Sequence, residues 1–115
     1  MLDRRSRVVK KEDYDRIFHL GKTFYQDMLS LKIAENGQKI SRFGIVVGLK
    51  FSSLAVRRNR IKRQIREIVR KNIAEIKSGF DVVIMINKIA GKNEFSSEEI
   101  EKSFKNILKK AKLLK

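Results

Sequence analysis

Residues 55–70 read AVRRNRIKRQIREIVR, and between Arg57 and Lys71 eight Lys or Arg stand against one acid, Glu67. Guanidinium groups hold phosphate oxygens in planar, bidentate pairs, so arginines at helical spacing suit a polyanion. On a wheel of about 100° per residue, Arg63, Arg66 and Arg70 share one flank, and Arg60 and Lys71 share the other. Arg58 and Lys62 lie near the edge of an apolar stripe at the first turn, where the helix end frees them to reach outward. That stripe is Ile61, Ile65, Ile68, Val69, Ile73 and Ile76, which predicts a single buried face. Like charges three or four residues apart repel by roughly 0.2–0.5 kcal/mol per pair, and almost no Glu offsets them. A solvated surface gives no reason for that repulsion. Phosphate binding does, and the positive end of the helix dipole adds to the attraction.

The rest of the chain must position this helix. Its 115 residues suit one domain, 1–115, with one core. Lys and Arg number 28 against 13 Asp and Glu, a formal charge of +15 with pI near 10.4. Such a field disfavours the compact state and points to a large anionic partner. There is no Cys, which excludes disulfides and thiolate metal sites. The first residues contain no apolar run of a secretion signal, and nothing approaches membrane-spanning length; the expectation is a cytoplasmic protein with no membrane partner. The basic helix has no large aromatics on its apolar face, and that face is needed for the core, which argues against a lipid surface.

The elements follow from periodicity. Residues 1–10 form a basic N-terminal arm without a pattern. A short helix over Glu12–Leu20 places Tyr14, Ile17 and Phe18 at helical spacing and stops at Gly21. MLSLKI, 28–33, alternates with Leu29, Leu31 and Ile33 on one face and Ser30 and Lys32 on the other; a break near Tyr25 splits this region into two strands. Asn36-Gly37 is a turn. A strand over 43–50, the basic helix to about Ile76, and a strand over 80–87 come next. Ser96 with Glu99 is a capping box for a last helix carrying Ile100, Phe104, Ile107, Leu108, Ala111 and Leu114. The expected fold is α+β, a single-domain sandwich in the order α-β-β-β-α-β-α.

Tyr14 and Phe18, four residues apart beside Arg16, either pack in the core or stack on unpaired bases. Arg5, Arg7, Lys10 and Lys11 offer general electrostatic contacts. His19 is the only histidine and has no nucleophile paired with it in sequence. Lys102, Lys105, Lys109, Lys110 and Lys112 read as solubilising charge on the last helix. No Ser-His-Asp arrangement, zinc motif, phosphate-binding loop or dinucleotide loop occurs, so the protein offers no catalytic residue of its own.

The order Arg58-Asn59, Lys62-Arg63, Arg66 resembles the RN-xx-KR-xx-R signature of the protein subunit of bacterial ribonuclease P. KKEDYDRIFHLGKTF is similar to that family's first helix and its exit, SRFGIVVGLKF to the strand before the signature, and GFDVVIMINK to the strand after it. The resemblance covers nearly the whole chain. It implies a protein cofactor of a catalytic RNA that removes the 5′ leader from precursor tRNA by metal-assisted hydrolysis. Mg²⁺ would be bound mainly by the RNA, with no organic cofactor, and metal sites on the protein stay unassigned. Carried over by position, Arg58, Asn59, Arg60, Lys62, Arg63, Arg66 and Arg70 contact the RNA subunit. Tyr14, Phe18, Ser30, Lys32, Lys11 and Arg7 belong to a cleft for the leader of the precursor tRNA. The family also implies a left-handed crossover between the strands that flank the signature helix, against the usual right-handed rule. Two positions depart from the pattern. The turn before the signature is Phe51-Ser52-Ser53-Leu54 rather than glycine-bearing, and Ser30 and Lys32 stand where apolar floor residues are common. The rivals from residue patterns alone are a ribosomal-type or general RNA-binding protein and, more weakly, a nonspecific DNA-binding protein, since charge alone leaves DNA open.

Overall fold

The computed structural model describes residues 4–89 and 94–115. Among them, a 3-10 turn (Arg4–Ser6) precedes α1 (Lys11–Leu20), β1 (Lys22–Gln26), β2 (Leu29–Glu35), β3 (Arg42–Val46), α2 (Ala55–Asn72), β4 (Phe80–Ile86) and α3 (Ser97–Lys110). The sheet order is β1-β2-β4-β3, with β3 parallel to β4 and the other pairs antiparallel. The expected α-β-β-β-α-β-α order and α+β class hold.

Local chemistry sets the joints. The chain reverses at Asp27-Met28 rather than near Tyr25, because Asp27 adopts φ 52, a left-handed value that Asp tolerates better than most residues. Its carboxylate then accepts from Ser103 Oγ at 2.8 Å, tying the hairpin to α3. At the other end of β2, Gly37 takes φ 66 as the turn requires. Ser96 and Glu99 form the expected capping box at α3. Three boundaries differ from expectation. β3 ends at Val46, short of the expected Lys50. α2 ends at Asn72 and tightens into a 3-10 turn, Ile73–Glu75. The last helix stops at Lys110, because Lys112 turns left-handed, φ 58, and the tail returns to bridge Ile76 through Leu114.

Register divides the sheet into two faces. Leu29, Leu31 and Ile33 of β2, with Val82, Ile84 and Ile86 of β4, form the core under α2 and α3. The isoleucine stripe of α2 is buried there through Ile61, Ile65, Ile68 and Val69. Each such side chain contributes roughly 1.5–3 kcal/mol of burial free energy. The opposite face carries Ser30, Lys32, Val83, Met85, Gly44 and Val46, and α1 covers part of it through Ile17, packed on Val83 with Val8. The helices therefore lie on both sides of the sheet.

The basic N-terminal segment is not a free arm over its described part. Arg7 bridges Phe43 in parallel, Val8 is buried, and the Val8 amide donates to the Phe43 carbonyl at 2.9 Å. One apolar valine among cations is enough to dock it along the outer edge of β3. Met1–Asp3, the start of the expected arm, lie outside the described residues.

A buried carboxylate holds α1 to the sheet. Asp81 of β4 is 0% exposed. Arg42 grips it twice, Nε to Oδ1 at 2.8 Å and Nη2 to Oδ2 at 2.7 Å. Arg16 of α1 and Asn36 also donate to it. Arg42 reaches on to Asp13 of α1 at 3.3 Å. Burial pushes the Asp81 carboxyl up, yet the bonds from Arg42 and Asn36 and the charges of Arg42 and Arg16 outweigh it and hold the group below its ordinary value. A depressed carboxylate stabilises the fold above its unfolded pKa, and that contribution disappears as pH falls through the folded value. Unfolding free energy should therefore decline below about pH 4. Asp81→Asn should cost about 3 kcal/mol at neutral pH, the low end for breaking a buried pair because both arginines reach solvent. Denaturant melts of both proteins from pH 7 to pH 3 check this: the variant should lose most of the acid-dependent decline.

Candidate nucleic-acid interface

α2 begins without a side-chain cap and without an acid in its first turn. The Arg57 amide turns back to the Leu54 carbonyl at 3.1 Å, and the positive end of the helix dipole there suits an anion. The first motif arginine is partly committed: Arg58 Nη1 donates to the Ser52 carbonyl at 2.9 Å and closes the loop before the helix. Ser52 Oγ accepts from the Leu54 amide at 3.2 Å, so serine organises the turn before the helix. Phe51 stacks on Phe95 with centroids 6.5 Å apart, which anchors the loop to the segment before α3.

The two flanks of α2 differ in how their charge is balanced. On the α3 side, Lys71 pairs with Glu101 at 3.3 Å, Gln64 donates to Ser97, and Arg60 and Arg63 border the groove between the helices. Glu101 is held low mainly by the bond from Asn72. Arg70 pairs with Glu67 one turn back. Among the described residues, Arg60, Lys62, Arg63 and Arg66 have no carboxylate partner. Asn59 stands exposed between them. The middle of α2 thus carries four neighbouring cations with no carboxylate beside them among the described residues.

Beside it lies a groove on the α1 face of the sheet. Phe18 is 40% exposed. Lys32 Nζ donates to the Phe18 carbonyl at 2.7 Å and sits 5.5 Å from its ring centroid. The last carbonyls of α1 attract this ammonium through the helix dipole. Ser30 is only 4% exposed and accepts from Asn87 Nδ2 at 2.6 Å, so it is a sealed floor position. Tyr14 is half-buried: a Cβ at Gly44 would meet its hydroxyl at 2.5 Å, and that hydroxyl donates to the Val8 carbonyl at 3.1 Å. Burial pushes the Tyr14 hydroxyl up, while the nearby charge of Arg66 opposes it. The charge of Arg66 on α2 is therefore felt at Tyr14 on α1, although the two helices pack on opposite faces of the sheet.

Of the sequence candidates, Tyr14, Phe18, Ser30 and Lys32 lie on the α1 face of the sheet, where Lys32 touches Phe18 and the charge of Arg66 is felt at Tyr14. Lys11 is exposed at the start of α1, and Arg7 lies along β3, in contact with a different depression shared with Lys10 and Arg42. Sequence reasoning missed Val46, Met85, Asn87, Lys50 and Lys88. These line a depression of about 530 Å³ that continues the floor past Ser30. Cross-strand register alone reveals them: Met85 pairs with Ser30 and Val46 pairs with Met85.

A family model described as Ribonuclease P matches residues 2–112. The chain belongs to the bacterial ribonuclease P protein family. The ribonuclease P protein component of Pseudanabaena is 38% identical over 115 residues, 99% of this chain and 97% of that one. The component from Thermotoga maritima is 41% identical over 85 residues, 74% of this chain and 72% of the relative. Among solved structures, the ribonuclease P protein of Staphylococcus aureus matches with a TM-score of 0.84 at 28% identity, covering 96% of this chain and 98% of that chain. That of Thermotoga maritima gives 0.82 at 34% identity, covering 90% and 96%.

The charge balance of α2 makes a distinguishing prediction for this family member. Arg63→Ala and Arg66→Ala should each weaken binding to the ribonuclease P RNA and lower the salt slope by about 1. Arg70→Ala should do less, because Glu67 already engages it. Binding titrations over a range of salt concentrations measure both quantities. Equal losses for all three variants would contradict the assignment.

Proposed function

We propose that the chain uses two adjoining surfaces as the RNA-binding protein component of ribonuclease P, a ribonucleoprotein endoribonuclease whose chemistry lies in its RNA. The observation that carries this reading is the set Arg60, Lys62, Arg63 and Arg66 in the middle of α2, cations with no carboxylate partner among the described residues. The helix neutralises phosphates of the RNA subunit and stabilises its active conformation. Arg58 and Asn59 extend that contact at the first turn. The groove takes the 5′ leader of precursor tRNA. Phe18 offers an exposed ring for an unpaired base, a contact worth about 1–3 kcal/mol. Lys32 supplies charge beside that ring, Ser30 and Met85 form the floor, and Tyr14 shapes the wall. Lys11 and Arg7 add charge toward the N-terminal side.

The proposed metal is Mg²⁺ held by the RNA, where it activates water and neutralises developing charge. Among the described residues no group of three or more His, Cys, Asp or Glu gathers. Among the described residues, no helix is long and apolar enough to cross a membrane. The proposed compartment is the cytoplasm, where the absence of Cys and the +15 charge suit work on RNA. A ribosomal-type protein is the disfavoured rival, since the family match spans residues 2–112.

Reconstitution tests the proposal. The bacterial RNA subunit at limiting Mg²⁺ should cleave precursor tRNA faster with this protein than without it. No rescue rejects the reading. Phe18→Leu should reduce affinity for leader-bearing precursor by roughly five- to tenfold or more, the loss of one stacked base, while leaving affinity for mature tRNA unchanged. Equal effects on both RNAs would place Phe18 outside the leader path.

A further inference from the structure

One cavity belongs to neither surface. It has a volume of about 630 Å³ and lies where α1 ends, β1 begins and α3 ends. That size suits a small organic ligand. No residue of α2 lines it, nor do Tyr14, Phe18, Ser30 or Lys32. Its floor is apolar and aromatic, formed by Phe24, Ile33, Phe80 and Leu113. Phe24 and Phe80 are only partly buried, so their rings are accessible from the cavity.

The rim is cationic. Arg16, Lys22, Lys110 and Lys112 surround it against one carboxylate, Glu35. Two of these cations have structural work. Arg16 binds Asp81 and the Glu35 carbonyl, and Lys110 donates to the Tyr25 carbonyl at 2.7 Å. Lys22 and Lys112 have no carboxylate partner among the described residues. Lys112 also occupies an unusual backbone position. Its φ of 58 lies in the left-handed region after α3, where glycine is the common residue and a lysine is strained. The left-handed turn ends α3, with the Leu113 amide donating to the Leu108 carbonyl at 2.9 Å, and it leaves the Lys112 ammonium at the mouth of an aromatic cavity.

We propose that this cavity binds a nucleotide, with the base on Phe24 and Phe80 and the phosphate on Lys22 and Lys112. Charge complementarity selects an anion, and the apolar floor selects one with a flat, stackable body. Both demands are met by one unpaired nucleotide, whether free or within a single strand of RNA. The cavity would then be a third nucleic-acid contact, on a part of the molecule that the basic helix and the groove do not reach.

NMR titration of the isotopically labelled full chain tests this with two probes, adenosine monophosphate and a short oligoadenylate. Either probe should shift the Ala111 and Leu113 methyls and the Phe24 and Phe80 rings. Saturation by the mononucleotide at equal or lower concentration identifies a free nucleotide as the ligand. Tighter, salt-dependent binding of the oligomer identifies RNA. Lys112→Gly keeps the fold, because glycine suits the left-handed position, and should weaken binding several-fold without lowering the melting temperature. Lys22→Gln should do the same, and each should reduce the oligomer's salt slope by about 0.7. The double variant Arg63→Ala, Arg66→Ala should leave the mononucleotide shifts intact, which separates this site from the reading of α2. Absence of cavity shifts with both probes, or unchanged affinity in Lys112→Gly and Lys22→Gln, overturns the proposal.

Discussion

The buried carboxylate of Asp81 is the constraint on which the working surfaces depend. A charged group at 0% exposure is tolerable only if its lone pairs are filled. The donors come from three separate places: Arg42 on β3, Arg16 on α1 and Asn36 in the turn after β2. Satisfying one charge therefore fixes α1 against the sheet in one position. The groove exists because α1 is held there, with Ile17 on Val83 and with Ala34, Val46 and Met85 only partly buried at the margin of that cluster. An apolar contact alone would allow α1 to slide along the sheet. A bidentate guanidinium pair does not, because its geometry is directional.

The same economy of acids explains where the positive charge is felt. The chain has 13 acids for 28 cations, and the structure assigns several acids to specific tasks. Asp81 and Asp13 serve the Arg42 cluster, Asp27 fastens the β1–β2 turn to Ser103, and Glu101 and Glu67 pair with Lys71 and Arg70. None is directed at Lys62, Arg63 or Arg66. Repulsion along that flank is offset in the free protein by the isoleucine stripe beneath it, and in the proposed complex the phosphates of RNA would remove it. On that proposal, binding energy and fold energy come from opposite sides of one helix.

Much of this was legible in the residues. The stripe Ile61, Ile65, Ile68 and Val69 specified both the helix and its buried side, so the display of the arginines followed by geometry. Leu29, Leu31 and Ile33 against Ser30 and Lys32 specified which side of β2 faces the core. The Ser96–Glu99 cap was readable because its two bonds lie within one turn. The site was legible only in part. Phe18 and Tyr14 share a spacing, yet one ring is exposed and the other is wedged on Gly44, a residue thirty positions away in sequence. The N-terminal segment reads as a solvated basic arm, but Val8 docks it on Phe43, and one buried valine leaves no periodic trace.

Sequence by itself determined the elements, the two-sided character of α2, the anionic class of the partner and, through the motif with its flanks, the family. Those properties depend on neighbours within one helical turn or one strand, where spacing alone fixes which side chains share a face. Tertiary structure alone decided which arginines remain uncompensated, which aromatic stays open, and that Asp81 rather than a surface pair anchors α1. It also decided that a lysine, Lys112, turns left-handed beside an aromatic cavity. Each of those depends on groups distant in the chain whose charges and volumes meet only after folding. No periodicity encodes such meetings, because burial and electrostatic pairing are set by three-dimensional distance.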